Sequence, residues 1–207
     1  MEKKKLVIFD FDGVLVNTTD LTFALHKKAN PGFTKEIFQS FEEGNFHENY
    51  WKAVEEGRHV HPERFFEDYG DGIIHLSTHD VINHLITDLF QKYELIVCSS
   101  MESRYIDKKL TSENIRNNFS EILGMDVHRS KVVKINKALH ERGILPTDAI
   151  FITDTIGDIR EGRECGVSSI GVTWGMQNRT KLESENPFAV VDTVQDLEQA
   201  IERFFLH

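Results

Sequence analysis

Short apolar runs that break abruptly into acids or hydroxyls recur along this chain. The first is Leu6-Val7-Ile8-Phe9, which ends at Asp10-Phe11-Asp12-Gly13. Four apolar residues without a charge predict a strand buried on both faces, and Gly13 lets the chain turn sharply after it. A second run lies within Glu94 to Ser100 and ends in Ser99 and Ser100; a third, within Ala149 to Asp158, ends in Asp154 and Asp158. Two further strands are predicted at Ile170-Gly171-Val172-Thr173 and Ala189-Val190-Val191. Between the strands the spacing becomes helical. Val81, Ile82, Leu85, Ile86 and Leu89 follow a Ser77-Thr78 start, and Val132, Ile135 and Leu139 share one face of a helix that opens at Ser130 and stops at Gly143. A short helix through Ile159 and Arg163 ends near Gly166, and a last one runs from about Val194 to Phe204. Strands alternating with helices imply an α/β fold whose parallel sheet is joined by right-handed crossovers.

Asn17 to Ile74 breaks this rhythm. It holds amphipathic pieces rich in aromatics, among them Phe33, Phe38, Phe41, Tyr50, Trp51, Phe65, Phe66 and Tyr69, punctuated by Pro31-Gly32, Gly44-Asn45 and Gly70-Asp71-Gly72. The expected organisation is a core of residues 1–17 and 77–207 with a small helical insertion over 18–76.

Composition narrows the class. The chain has 207 residues, 40% hydrophobic and 28% charged, enough for one sizeable core plus an insertion. No apolar stretch approaches the ~20 residues that span a bilayer. The apolar run behind Met1-Glu2-Lys3-Lys4-Lys5 stops at Asp10, so no signal peptide is expected and a cytoplasmic setting is the default. Two cysteines, Cys98 and Cys165, provide no disulfide framework. A net charge of −10 would not draw the chain to nucleic acid or an anionic membrane, and an anionic substrate would need local cations.

The acidic strand ends carry the chemistry. Asp10 and Asp12, at i and i+2, would point the same way on a regular strand and repel unless a cation lies between them. Ligands of open α/β sheets bind outside the carboxyl ends of the strands, so ends bearing Asp10/Asp12, Ser99/Ser100 and Asp154/Asp158 would face one crevice. A hard divalent ion with oxygen ligands relieves such crowding, and Mg2+ suits a site of few carboxylates, several waters and substrate phosphate.

These residues resemble the motifs of the haloacid dehalogenase-like (HAD) hydrolases: Asp10-Phe11-Asp12-Gly13-Val14 as the first, Ser99 as the second, Lys131 as the third and Asp154-x-x-x-Asp158 as the fourth, in the family's order from about Lys5 to Val191. The resemblance implies a Rossmann-like core with a helical cap inserted after the first motif. It also implies a Mg2+-dependent phosphatase acting on a small phosphorylated metabolite. In it Asp10 would be the nucleophile that forms an aspartyl phosphate, and Asp12 the general acid and base, its backbone carbonyl also binding the metal. Ser99, with Ser100, and Lys131 would hold the phosphoryl oxygens. Arg129 and Lys134 neighbour Lys131, whose spacing to Gly143 fits the family pattern. Asp154 would bind the metal directly, and Asp158 through water or by orienting other ligands. Departures from the family stand at Asn17, Ser100 and Thr153, where a carboxylate, Asn and Gly are common.

Asp12 disfavours dehalogenation and phosphonate hydrolysis, neither of which uses a second aspartate. A phosphomutase shares every core group and would differ in excluding water from the aspartyl phosphate. A receiver-like phospho-acceptor domain or a non-catalytic binding protein stands further off. No nucleic-acid or membrane partner is expected, and the chain would be a monomer or homodimer. His26, His47, His59, His61, His75, His79 and His84 read as surface histidines, and Lys27, Lys28, Arg58 and Arg64 as candidate substrate-reading cations.

Overall fold

A computed structural model describes residues 5–41, 46–76, 78 and 80–206. Its strands are β1 (Leu6–Phe9), β2 (Glu94–Cys98), β3 (Glu121–Leu123), β4 (Ala149–Thr153), β5 (Ser168–Val172) and β6 (Ala189–Val191). After β1 the chain first forms α1 (Thr19–Ala29), α2 (Lys35–Phe41), α3 (Phe46–Glu55) and α4 (Phe65–Ile73). They are followed by α5 (Asp80–Phe90), α6 (Ser103–Ser112), α7 (Lys131–Arg142), α8 (Ile156–Glu164), α9 (Arg179–Glu183) and α10 (Val194–Phe205). No helix among the described residues is long and apolar enough to cross a membrane.

The six strands form one parallel sheet in the order β3-β2-β1-β4-β5-β6, the Rossmann-like α/β arrangement. Both faces of the central strand are covered, which is why its sequence is a continuous apolar run. Val7 and Phe9 join Leu85 and Leu89 of α5 and Leu197 and Ile201 of α10. Leu6 and Ile8 meet Ile135 and Leu139 of α7 on the other side. Burying such side chains contributes about 1.5–3 kcal/mol each, enough to hold the strand without any polar face. Phe9 pairs with Val97 of β2 and with Ile152 of β4, so these three strands end at one level. The residues that follow them therefore emerge on a common rim.

The helices α1–α4 have a small aromatic core of their own in Phe33, Phe38, Phe41, Tyr50 and Ala53. Gly70-Asp71-Gly72, expected to punctuate the helical pieces, does not do so, since all three lie inside α4. A Cβ on Gly70 would stand 2.0 Å from Cε1 of Tyr105, and one on Gly72 would stand 2.6 Å from Cδ1 of Leu21. These glycines let the helix approach α6 and α1 closely, which offsets their cost of about 1 kcal/mol each in a helix.

The surface assignment holds for His75 and His84, which are exposed, and is corrected for His26 and His59, which are buried. Their rings pack among aromatics, His26 with its centroid 4.9 Å from those of Tyr50 and Phe65, and His59 4.8 Å from Phe33. His26 Nδ1 and His59 Nε2 share a hydrogen bond of 3.3 Å, which satisfies polar atoms that burial would otherwise strand. Burial, with the neighbouring charges of His59 and His61, pushes the His26 imidazole down to about 3.

Three elements exceed the expected set: β3, α6 and the short α9. Strand β3 is a three-residue edge strand with one fully buried side chain, too short to register as an apolar run. Helix α6 is polar apart from Tyr105, Ile106 and Leu110. The expected Gly44-Asn45 break, the Ser77 helix start and His79 lie outside the described residues.

Candidate active site

At the end of β1, Asp10 N bonds to Ile152 O at 2.9 Å, extending the β1–β4 pairing one residue past the strand. The chain then folds back on itself through Leu15 N to Phe11 O at 3.0 Å and Gly13 N to Val16 O at 2.8 Å, with Gly13 at φ 74°. This turn sends Asp10 and Asp12 to different partners, so the expected repulsion within the pair is not the governing contact. Asp10 is buried, accepts from the Phe11 amide at 2.7 Å through Oδ1 and faces Lys131 through Oδ2. Oδ1 of Asp12 accepts from Thr18 Oγ1 at 2.8 Å and from the hydroxyl of Tyr69. Oδ2 of Asp12 lies 3.4 Å from Ser99 Oγ.

Lys131 opens α7, behind Ser130 at the helix cap. Its Nζ sits 3.0 Å from Asp10 Oδ2 and 2.6 Å from Asp158 Oδ2, where Thr153 Oγ1 also donates at 2.8 Å. Lys134, the competing candidate, is fully buried and turns to backbone instead, donating to the carbonyls of Ser99 at 2.6 Å and Gly124 at 3.5 Å. Ser99 is fully buried and its Oγ accepts from Met101 N at 3.0 Å; Ser100 beside it is half-buried. Asp158 is not the cap of α8. That role falls to Thr155, whose hydroxyl accepts from Asp158 N, leaving the Asp158 carboxylate to Lys131 and Thr153.

Asp154 sits deepest. Its Oδ2 accepts from Met176 N at 2.7 Å, and its buried Oδ1 has no hydrogen-bond partner among the described residues. Gly13 and Gly175 close around it, since a Cβ on either would stand 1.9 or 2.3 Å from Oδ2. Backbone can approach this carboxylate so closely only where a side chain is missing.

Burial sets the electrostatics. It raises Asp10 well above the usual carboxylate range, Lys131 pulls it back, and the charges of Asp158 and Asp154 raise it further. Burial also pushes Asp154 up to about 7, against the Met176 amide. At Asp158 burial acts in the same direction but is overcome by Lys131, so this carboxyl falls below its ordinary value. Lys131 is the mirror case: burial works against its charge, and Asp10 and Asp158 hold it well above the usual lysine range. Asp10 and Asp158 thus share one ammonium while Asp154 lies buried beside them, an arrangement that favours a further cation.

Among the described residues no three His, Cys, Asp or Glu side chains converge into a cage for a metal. Mg2+ does not demand one, because it typically takes one or two carboxylates and keeps several waters. The unpartnered Asp154 Oδ1, the excess of buried carboxylates and an all-oxygen donor set fit such an ion.

Thr18, Tyr69, Gly175 and Met176 belong to this site and were not foreseen, and Lys134 figured only as a rival to Lys131. Only the glycines gave a signal, since two within a nine-residue helix beside Tyr69 require a reason.

A family model described as haloacid dehalogenase-like hydrolase matches residues 7–172, a span that includes all four carboxylates, Ser99 and Lys131. A phosphoglycolate phosphatase of Vibrio vulnificus is 22% identical over 214 residues, covering 93% of this chain and 94% of that protein. A pyrophosphatase PpaX of Bacillus cereus is 24% identical over 207 residues, covering 94% of this chain and 95% of that protein. Among solved structures, a haloacid dehalogenase-like family hydrolase of Streptococcus pneumoniae is similar in fold, with a TM-score of 0.76 at 20% identity over 97% of this chain and 100% of that one.

Proposed function

The chain belongs to the haloacid dehalogenase-like hydrolase family, and we propose that it is a Mg2+-dependent phosphatase that cleaves a small phosphorylated metabolite through an aspartyl phosphate on Asp10. The observation that carries this reading is the ammonium of Lys131 between Asp10 and Asp158, beside the unpartnered oxygen of Asp154. The relatives named phosphoglycolate phosphatase and pyrophosphatase support it.

Asp10 and Asp154 would hold Mg2+ through their carboxylates and Asp12 through its backbone carbonyl, with Asp158 acting directly or through water. When bound, the ion supplies positive charge that offsets the phosphoryl oxygens. A carboxylate oxygen of Asp10 forms a bond to phosphorus as the bond from phosphorus to the leaving oxygen breaks, and Asp12 gives that oxygen its proton. Asp12, now a carboxylate, takes a proton from water as the water oxygen attacks phosphorus. The bond between phosphorus and Asp10 breaks, releasing inorganic phosphate and restoring both acids. Ser99 and Lys131 bind the phosphoryl oxygens, Lys131 adding its charge to the positive end of α7. Residues 1–17 and 77–207 form the catalytic core in this reading, and residues 18–76 a helical cap over the strand ends.

The test is a panel of phosphorylated metabolites assayed with Mg2+ and with chelator, alongside Asp10→Asn. Turnover that chelator abolishes, and that Asp10→Asn lacks with unchanged circular dichroism, supports the proposal. Wild-type turnover by Asp10→Asn would remove Asp10 as the nucleophile.

A further inference from the structure

Asp12 is reached from the helical segment as well as from its own loop. Tyr69, on α4, is 1% exposed and donates its hydroxyl hydrogen to Asp12 Oδ1, the oxygen that also accepts from Thr18. Three features make this contact a built one. The Tyr69 ring stacks on Phe65 one turn earlier, with centroids 6.0 Å apart and planes at 27°. Gly70, the next residue, opens the space that Tyr105 of α6 fills, and Gly72 does the same for Leu21 of α1. Two unfavourable helix residues thus follow Tyr69 directly, where α4 comes close enough for the tyrosine to touch the carboxylate.

Two hydroxyl donors occupy the acceptor sites of Oδ1 and so exclude a proton from that oxygen. The other oxygen, Oδ2, is the one beside Ser99 Oγ at 3.4 Å, on the side of the residues that would hold the phosphoryl group. We propose that Tyr69 is a positioning residue for the acid and base: with Thr18 it pins Oδ1 of Asp12, so that Oδ2 alone carries the proton to the leaving oxygen and later receives one from water. The inference rests on the phosphatase reading and adds which oxygen acts and what aims it. It also makes the ester-cleaving centre complete only when α4 is seated on the core.

The experiment measures kcat/KM of Tyr69→Phe with phosphate esters of graded leaving groups, from 4-nitrophenyl phosphate to simple alkyl phosphates. This quantity covers steps up to loss of the leaving group and omits hydrolysis of the aspartyl phosphate. An alkoxide needs its proton as it departs, and 4-nitrophenolate does not. Tyr69→Phe is expected to lose about tenfold or more on alkyl esters, the scale of one hydrogen bond to a charged group, and about twofold or less on the nitrophenyl ester. An equal loss on all esters, or none on any, overturns the proposal. Asp12→Asn run beside it separates the two levels of the argument. A flat leaving-group response in Asp12→Asn defeats the acid-base reading itself, whereas a steep response there with a flat one in Tyr69→Phe defeats only the role of Tyr69. Should Tyr69→Phe lose its native circular dichroism, Gly70→Ala decides, because it keeps the hydroxyl but presses α4 off Tyr105. It must then reproduce the leaving-group dependence.

Discussion

Lys131 Nζ lies 3.0 Å from Asp10 Oδ2, and both side chains are nearly closed to solvent. The same ammonium lies 2.6 Å from Asp158. One cation therefore spans two acids from different strand ends, and Lys131→Met leaves both without it. Activity should fall by about a hundredfold or more, the usual scale for losing a placed charge at a phosphoryl site. Stability should drop by about 3 kcal/mol, since buried charges lose their partner. Lys131→Arg should not restore turnover, because a planar fork cannot take the place of a compact ammonium. Steady-state kinetics and urea unfolding check both parts, and near wild-type turnover by the methionine variant would contradict them.

Gly175 and Gly13 leave no room for a side chain beside Asp154. Gly175→Ala would place a methyl group 2.3 Å from Asp154 Oδ2, forcing the carboxylate to move. The Mg2+ concentration for half-maximal activity should rise about tenfold, as expected when support around a ligand is disturbed. Titration of activity with Mg2+ gives the answer, and an unchanged requirement would mean that Asp154 is not held for the ion.

His26 should make the fold acid-sensitive. Burial and the nearby charges of His59 and His61 lower it from 6.5 to about 3, so the unfolded chain takes up a proton before the folded one does. Its contribution to stability is full above pH 6.5 and is lost as pH falls toward about 3. The slope for one such site is about 1.4 kcal/mol per pH unit. Asp154, raised to about 7, acts with the opposite sign because its folded form gains the proton first, but it does so equally in a His26→Gln variant. Urea unfolding between pH 6 and pH 4 should therefore show a shallower loss for His26→Gln than for the parent. Parallel curves would rule out His26 as the cause.

Lys134 holds the Ser99 carbonyl at 2.6 Å from inside the protein. Lys134→Met keeps the volume but leaves that carbonyl without its donor, so stability should fall by about 2 kcal/mol, the scale of a hydrogen bond from a charged group. Ser99 loses its anchor, and KM should rise more than kcat falls. Urea unfolding and substrate titration measure the two effects, and an unchanged KM would detach Lys134 from the site.

Much of the fold was legible in local pattern. Leu6 to Phe9 is continuously apolar because helices cover both its faces, and the helix expected between Ser130 and Gly143 is found as Lys131–Arg142 with Gly143 at φ 63°. Strand β3 was not legible, since three edge residues, two half-buried and one buried, are too few to show a periodicity. The buried histidines were missed for a related reason: an imidazole reads as polar until its ring neighbours and its nitrogen partner are known.

The acids at the ends of β1 and β4 could be read from sequence because each directly follows an apolar run, and a strand's end is a local property. Parallel pairing in register then makes their meeting a consequence of the sheet. The contact between Tyr69 and Asp12 is of another kind. It joins residues 57 positions apart, through a helix whose closeness depends on what Gly70 lacks and on where Tyr105 sits. Periodicity reports which side of an element faces the interior, so the chain's pattern determined the sheet and the acidic rim. Which side chain from α4 reaches that rim depends on the distance between packed helices, and only the tertiary structure decided it.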